Sequence, residues 1–163
     1  MTEELKTLQW NGWHHAFRRS AEEGAAAAWQ KPEMDDHRRT ARRMSAALEA
    51  EQPVLFPGEI IAFTRTVTAM PMIFSREEWE EIRKNHYIHE LGNVSNLSPD
   101  YGRVIRSGLL ALRERAETLC PGQPVTEEID AVLGLTARYA AAAREAGLTD
   151  LARVLERVPA YGA

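Results

Sequence analysis

Apolar residues along this 163-residue chain recur mostly at three- and four-residue spacing, which lines them up on single faces of helices. Within residues 2–30, Trp13, Phe17, Ala21, Ala25 and Trp29 fall about every fourth position, and Thr2 can cap a first turn that holds Glu3 and Glu4. One or two helices are predicted there, with boundaries blurred by Gly12 and Gly24. A second helix over residues 35–51 opens with acids that complement the helix dipole and stops ahead of Pro53. Residues 53–74, PVLFPGEIIAFTRTVTAMPMIF, break the rhythm. They are β-branched, apolar and bounded by prolines, so buried extended or irregular backbone is predicted.

Ser75 followed by Arg76, Glu77 and Glu78 has the layout of a capping box and launches a helix through Trp79 and Ile82 to about His89. Between Leu91 and Leu97 the chain places Gly92, Asn93, Ser95 and Asn96, whose side chains compete for backbone hydrogen bonds and favour turns. Helix resumes with Ser98 as N-cap, Pro99 in the first turn and Asp100 at the positive end. Tyr101, Val104, Ile105, Gly108, Leu109 and Leu112 would then share a face, with Gly108 allowing close backbone approach. CPGQP at 120–124 ends that helix; Thr126, Glu127 and Glu128 start another that runs to about Ala146 with Gly147 as its C-cap. A short helix follows over residues 150–157, so the chain reads as mainly α, with about six helices and no internal repeat.

Composition narrows the class. A single domain of this length buries roughly 70% of its extended surface, and 44% apolar with 27% charged residues is ordinary for a water-soluble domain. No apolar run is long enough to span a bilayer, and MTEELKTLQWNGWHH lacks the layout of a secretory signal, so a cytoplasmic location is expected and no membrane partner. One cysteine, Cys120, excludes an internal disulfide and a cysteine-based zinc cage. The net charge of −4 does not favour long-range attraction to phosphate backbones.

Three features carry candidate chemistry. His86 and His89 stand one helical turn apart, but HYIHE fits no zinc-protease pattern, and a locally hydrogen-bonded pair is the simpler reading. Arg38, Arg39, Arg42 and Arg43 form a basic stripe; with Glu33, Asp35 and Asp36 alongside and no interleaved aromatics, a salt-bridged face outweighs a nucleic-acid surface. Cys120 falls at the carboxyl end of a helix, the wrong pole to generate a thiolate nucleophile.

The order of three segments adds a resemblance. GEIIA at 58–62, preceded by the arginine-rich helix and EQPVLFP and followed by SPDYGRVIRSGL, resembles the amino-terminal region of glycyl radical enzymes of the pyruvate formate-lyase type. That family has a GELIVG-like segment, then a loop, a D-Y pair and a helix carrying a glycine, here Asp100, Tyr101 and Gly108. The likeness covers about residues 35–163, through LERVPAYGA; Phe63 stands where the family's segment closes with glycine.

The resemblance implies a ten-stranded α/β barrel of which this chain is the helical amino-terminal portion. A glycyl radical and a thiyl cysteine would abstract hydrogen from a small polar substrate, ahead of lyase, dehydratase or formate acetyltransferase-like chemistry. Neither group is encoded: Ala160 occupies the radical position in RVPAYG, and Cys120 is followed by Pro121 and Gly122. The chain alone would therefore hold no cofactor and be inactive. Its implied partners are a radical S-adenosylmethionine activating enzyme, the remainder of the same enzyme and, once complete, a second copy in a homodimer. In the dehydratase branch a pocket histidine lies a few places before the D-Y pair. Asn96 holds that place here, a hydrogen-bonding group for substrate with Asn93, Ser95 and His89 as neighbours. The alternative is a self-contained helical module that binds a protein or nucleic acid through Arg38, Arg39, Arg42 and Arg43.

Overall fold

The structure, a computed structural model, describes residues 3–10, 19–20, 24–55, 66–85 and 100–162. The chain is mainly helical, with α1 (Glu3–Trp10), α2 (Asp36–Ala50), α3 (Arg76–Lys84), α4 (Tyr101–Leu119), α5 (Val125–Glu145) and α6 (Thr149–Arg157) among the described residues. Two short strands, β1 (Arg19–Ser20) and β2 (Val67–Ala69), pair in parallel with an irregular register. None of these helices is long and apolar enough to cross a membrane.

Local chemistry explains most boundaries. Asp35 caps α2 by accepting from the Arg38 amide at 3.0 Å, and its carboxyl is held below the usual range chiefly by that bond. Ser75 and Glu78 form the reciprocal capping box of α3: Glu78 N–H donates to Ser75 Oγ at 3.2 Å, and Ser75 N–H donates to Glu78 Oε2 at 2.8 Å. Asp100, expected inside the first turn of α4, is instead its N-cap, accepting from Arg103 N–H at 3.0 Å. At the end of α5, Gly147 takes φ 75°; its N–H donates to Arg144 O, and Leu148 N–H donates to Ala143 O at 2.8 Å, a Schellman closure.

Helix α5 is the centre of the molecule: α2, α4 and α6 all pack on it. Its buried face, Leu135, Tyr139, Ala140 and Ala143, uses small residues where the neighbouring helix comes near, Ala152 of α6 among them. Arg38 donates to Gly122 O, Arg42 pairs with Glu127, and Arg138 donates to Leu48 O. Numbers rise together along both helices, so α2 and α5 run in the same direction. Parallel neighbours cannot be joined by a tight turn, which is why α3 and α4 intervene.

Two sequence expectations change. The every-fourth-residue face over residues 13–29 is not one helix: Arg19–Ser20 is extended against β2, Gly24 has φ 81°, and the alanines at Ala25–Ala28 form a 3-10 turn. Pairing with β2 and burial of Trp29 outweigh the alanine preference for helix, since Trp29 is fully enclosed and its Nε1 donates to Met72 O at 2.9 Å. Trp13, Phe17 and Ala21 lie outside the described residues.

The continuous face expected along α4 is also interrupted. Gly108 has φ 73° and ψ 164°, so α4 is two helical pieces joined at a break. Leu109 and Leu110 begin the second piece and donate their N–H groups to Pro159 O and Ala160 O at 2.9 and 3.0 Å. The segment after α6 therefore caps a helix that has no cap of its own. Close approach at Gly108 was expected; a Cβ there would sit 2.5 Å from Ala160 O and Tyr161 Cα.

Of the segment expected to be buried, Val54, Thr66 and Val67 are, whereas Met72 is exposed and residues 56–65 lie outside the described residues.

Candidate functional site

The four residues expected to face a substrate, His89, Asn93, Ser95 and Asn96, all lie outside the described residues, as do His86, the GEIIA segment and Phe63. The described residues that flank them in sequence are Asn85, the C-cap of α3, and Asp100, the N-cap of α4.

The arginine stripe is described in full, and its members are engaged within the fold. Arg39 is buried, donating Nη1 and Nη2 to the two carboxylate oxygens of Glu78 at 2.8 Å each, Nε to Met34 O at 2.9 Å and Nη2 to Lys31 O at 2.7 Å. The hydrogen bonds from Arg39 hold the Glu78 carboxyl below its ordinary range, and the same bonds push the guanidinium up. One carboxylate thus closes a capping box and neutralises a buried cation. Arg43 donates to Pro71 O at 2.5 Å, Arg42 pairs with Glu127 at 3.3 Å, and Arg38 pairs with Asp35 at 3.7 Å. A face so committed offers little charge to a phosphate backbone.

A second buried carboxylate escaped the sequence reading. Glu51, the C-cap of α2, is 3% exposed, and its Oε2 accepts from Thr66 N–H and Thr66 Oγ1 at 2.6 Å each and from Val67 N–H at 3.2 Å. A helix carboxyl end repels an anion. Arg138 offsets this by donating Nη2 to Leu48 O at 2.5 Å and Glu51 O at 3.4 Å. Its sequence trace is EQP, an acid directly ahead of the proline stop.

A cleft of about 660 Å3 lies between α2 and α5. Small residues, Ala28, Ala46, Ala131 and Gly134, line it together with Arg42, Ser45, Glu49, Glu127, Asp130 and Arg138. On α2 the spacing is 42, 45, 46 and 49, one helical face, which is the only sequence signal the cleft had. At the base of α5, Glu128 faces a smaller recess of about 230 Å3 with His37. Burial pushes its carboxyl above the ordinary range, the neighbouring Glu127 charge adds to this, and His37 acts against it.

Cys120 is exposed at the C-cap of α4, and no three His, Cys, Asp or Glu side chains among the described residues are grouped as a metal would require. No family model, curated protein or solved structure matches this chain.

Proposed function

We propose that this chain is the helical amino-terminal segment of a glycyl radical enzyme of the pyruvate formate-lyase type, shaped to close over a barrel that carries the reactive groups. The observation that carries the reading is the order of EQPVLFPGEIIA and SPDYGRVIRSGL along one chain. The surface is consistent with such a role. Tyr101 and Ile105, one turn apart on α4, are 66% and 59% exposed, and Tyr161 beside them is 58% exposed. Apolar side chains grouped like this are a surface for further protein.

In the complete enzyme Asn96 orients a small polar substrate by hydrogen bonding, with Asn93, Ser95 and His89 around it, while the thiyl radical belonging to the remainder abstracts hydrogen. An S-adenosylmethionine-dependent activating enzyme installs the radical, and two copies form the working dimer. The test is Asn96→Ala in the complete activated enzyme: turnover should fall while the glycyl radical seen by electron spin resonance keeps its amplitude. Unchanged kinetics remove the loop from the site.

A further inference from the structure

Helix α6 packs on α5 with one side and turns the other to solvent. Ala152 is buried and Glu156 pairs with Arg144 of α5, which fixes the inward side. Asp150, Val154, Arg157 and, at the C-cap, Val158 share the outward side, since they recur at helical spacing. Val154 and Val158 are 54% and 43% exposed, and the Asp150 side chain is 92% exposed. Apolar residues turned outward beside charges are the mark of a helix that meets another protein surface.

The order of the charges identifies that surface. Asp150 stands near the amino end of α6 and Arg157 at its carboxyl end, seven residues or about 10 Å further on, with Val154 between them. Such an edge is complementary to itself in the antiparallel direction. A two-fold axis passing near Val154 sets each Asp150 opposite Arg157 of the other copy and each Val154 opposite its counterpart. Parallel pairing would set like charges together. Both charges are available: Arg157 has no ion pair among the described residues, and Asp150 meets Arg153 of its own helix at 2.5 Å, an exposed pair of little worth that leaves a carboxylate oxygen open.

We infer that α6 is a self-association surface, pairing antiparallel with α6 of a second copy through two Asp150–Arg157 ion pairs around a Val154 contact. Helices of this length cover less than the roughly 1,200 Å2 at the low end of standard interfaces, so the pair is weak and reversible, and salt weakens it further. Tyr161, 58% exposed and tied back to Arg157 O through its N–H, marks the end of the surface. The inference does not depend on the radical-enzyme reading.

Sedimentation equilibrium of the full chain at low ionic strength, from micromolar to near-millimolar concentration, tests it. A monomer–dimer equilibrium is expected. Asp150→Arg and Arg157→Asp should each weaken the dimer about tenfold or more, because both attractions become repulsions. Mixed in equal amounts, the two variants should pair with each other at close to wild-type affinity, since the mixture restores both attractions. Val154→Glu, which sets two carboxylates at the axis, should also break the dimer. All three side chains are exposed, so circular dichroism should stay as in the wild type. A chain that remains monomeric throughout, open-ended assembly in place of a dimer, or a dimer that both charge variants leave intact overturns the proposal. So does a mixture in which the two variants show no preference for each other.

Discussion

Glu78 shows how one side chain serves two elements. As the third residue of α3 it closes the capping box, and as the partner of Arg39 it ties α3 to α2. Gln keeps capping competence but not charge, so Glu78→Gln isolates the ion pair. The Arg39 side chain is 4% exposed but that of Glu78 is 36% exposed, so solvent screening moderates the loss to about 1–2 kcal/mol, measurable by urea denaturation. Since the folded carboxyl lies below its unfolded value, the stabilisation is complete above the ordinary glutamate range and is lost as pH falls through the lowered value. The difference between wild type and variant should therefore shrink on acidification. Glu128 has the opposite sign. Its folded carboxyl is raised, so the benefit is present below the unfolded value and lost as pH rises through the folded one. At neutral pH the charged form is strained, and Glu128→Gln should raise the melting temperature there, with the gain vanishing in acid. An unaltered melting temperature across that range would remove burial as the cause.

At the scale of elements the informative feature is the break in α4. Gly108 takes a backbone conformation that L residues avoid, and a Cβ would meet the chain at Ala160 and Tyr161. Gly108→Ala should cost about 3 kcal/mol in denaturation, adding strain to displacement of the 158–162 turn. Amide exchange of Leu109 and Leu110 should speed up together, because both amides donate to that turn. If only global stability dropped and these two amides exchanged as before, the turn would not be their cap. The end of α2 was legible because Pro53 is a local signal; the break at Gly108 was not, because its partner lies some fifty residues away.

For the whole molecule, the exposed surface decides behaviour in solution. Tyr101 and Ile105 on the first half of α4 are exposed, as are Tyr161, whose backbone lies against Gly108, and Leu119, Val154 and Val158. The isolated chain should bind a hydrophobic dye and self-associate as concentration rises in sedimentation experiments. Ile105→Glu combined with Tyr161→Ser should suppress both with little loss of stability, as neither side chain is buried. A dye-silent monomer at high concentration would count against a surface made to be covered.

The six α-helices among the described residues, the capping box of α3 and the glycine closure after α5 followed from the sequence, whereas the N-cap of α4 fell on Asp100 rather than Ser98. The four residues proposed to meet substrate were reached through resemblance and lie outside the described residues. Tertiary structure alone decided the rest. It made Arg19–Ser20 extended where periodicity favoured helix, and it bound Arg39 to Glu78 and Arg42 to Glu127. Those outcomes depend on which distant groups supply a donor, an acceptor or an apolar wall. Periodicity along one chain carries no information about a partner eighty residues away.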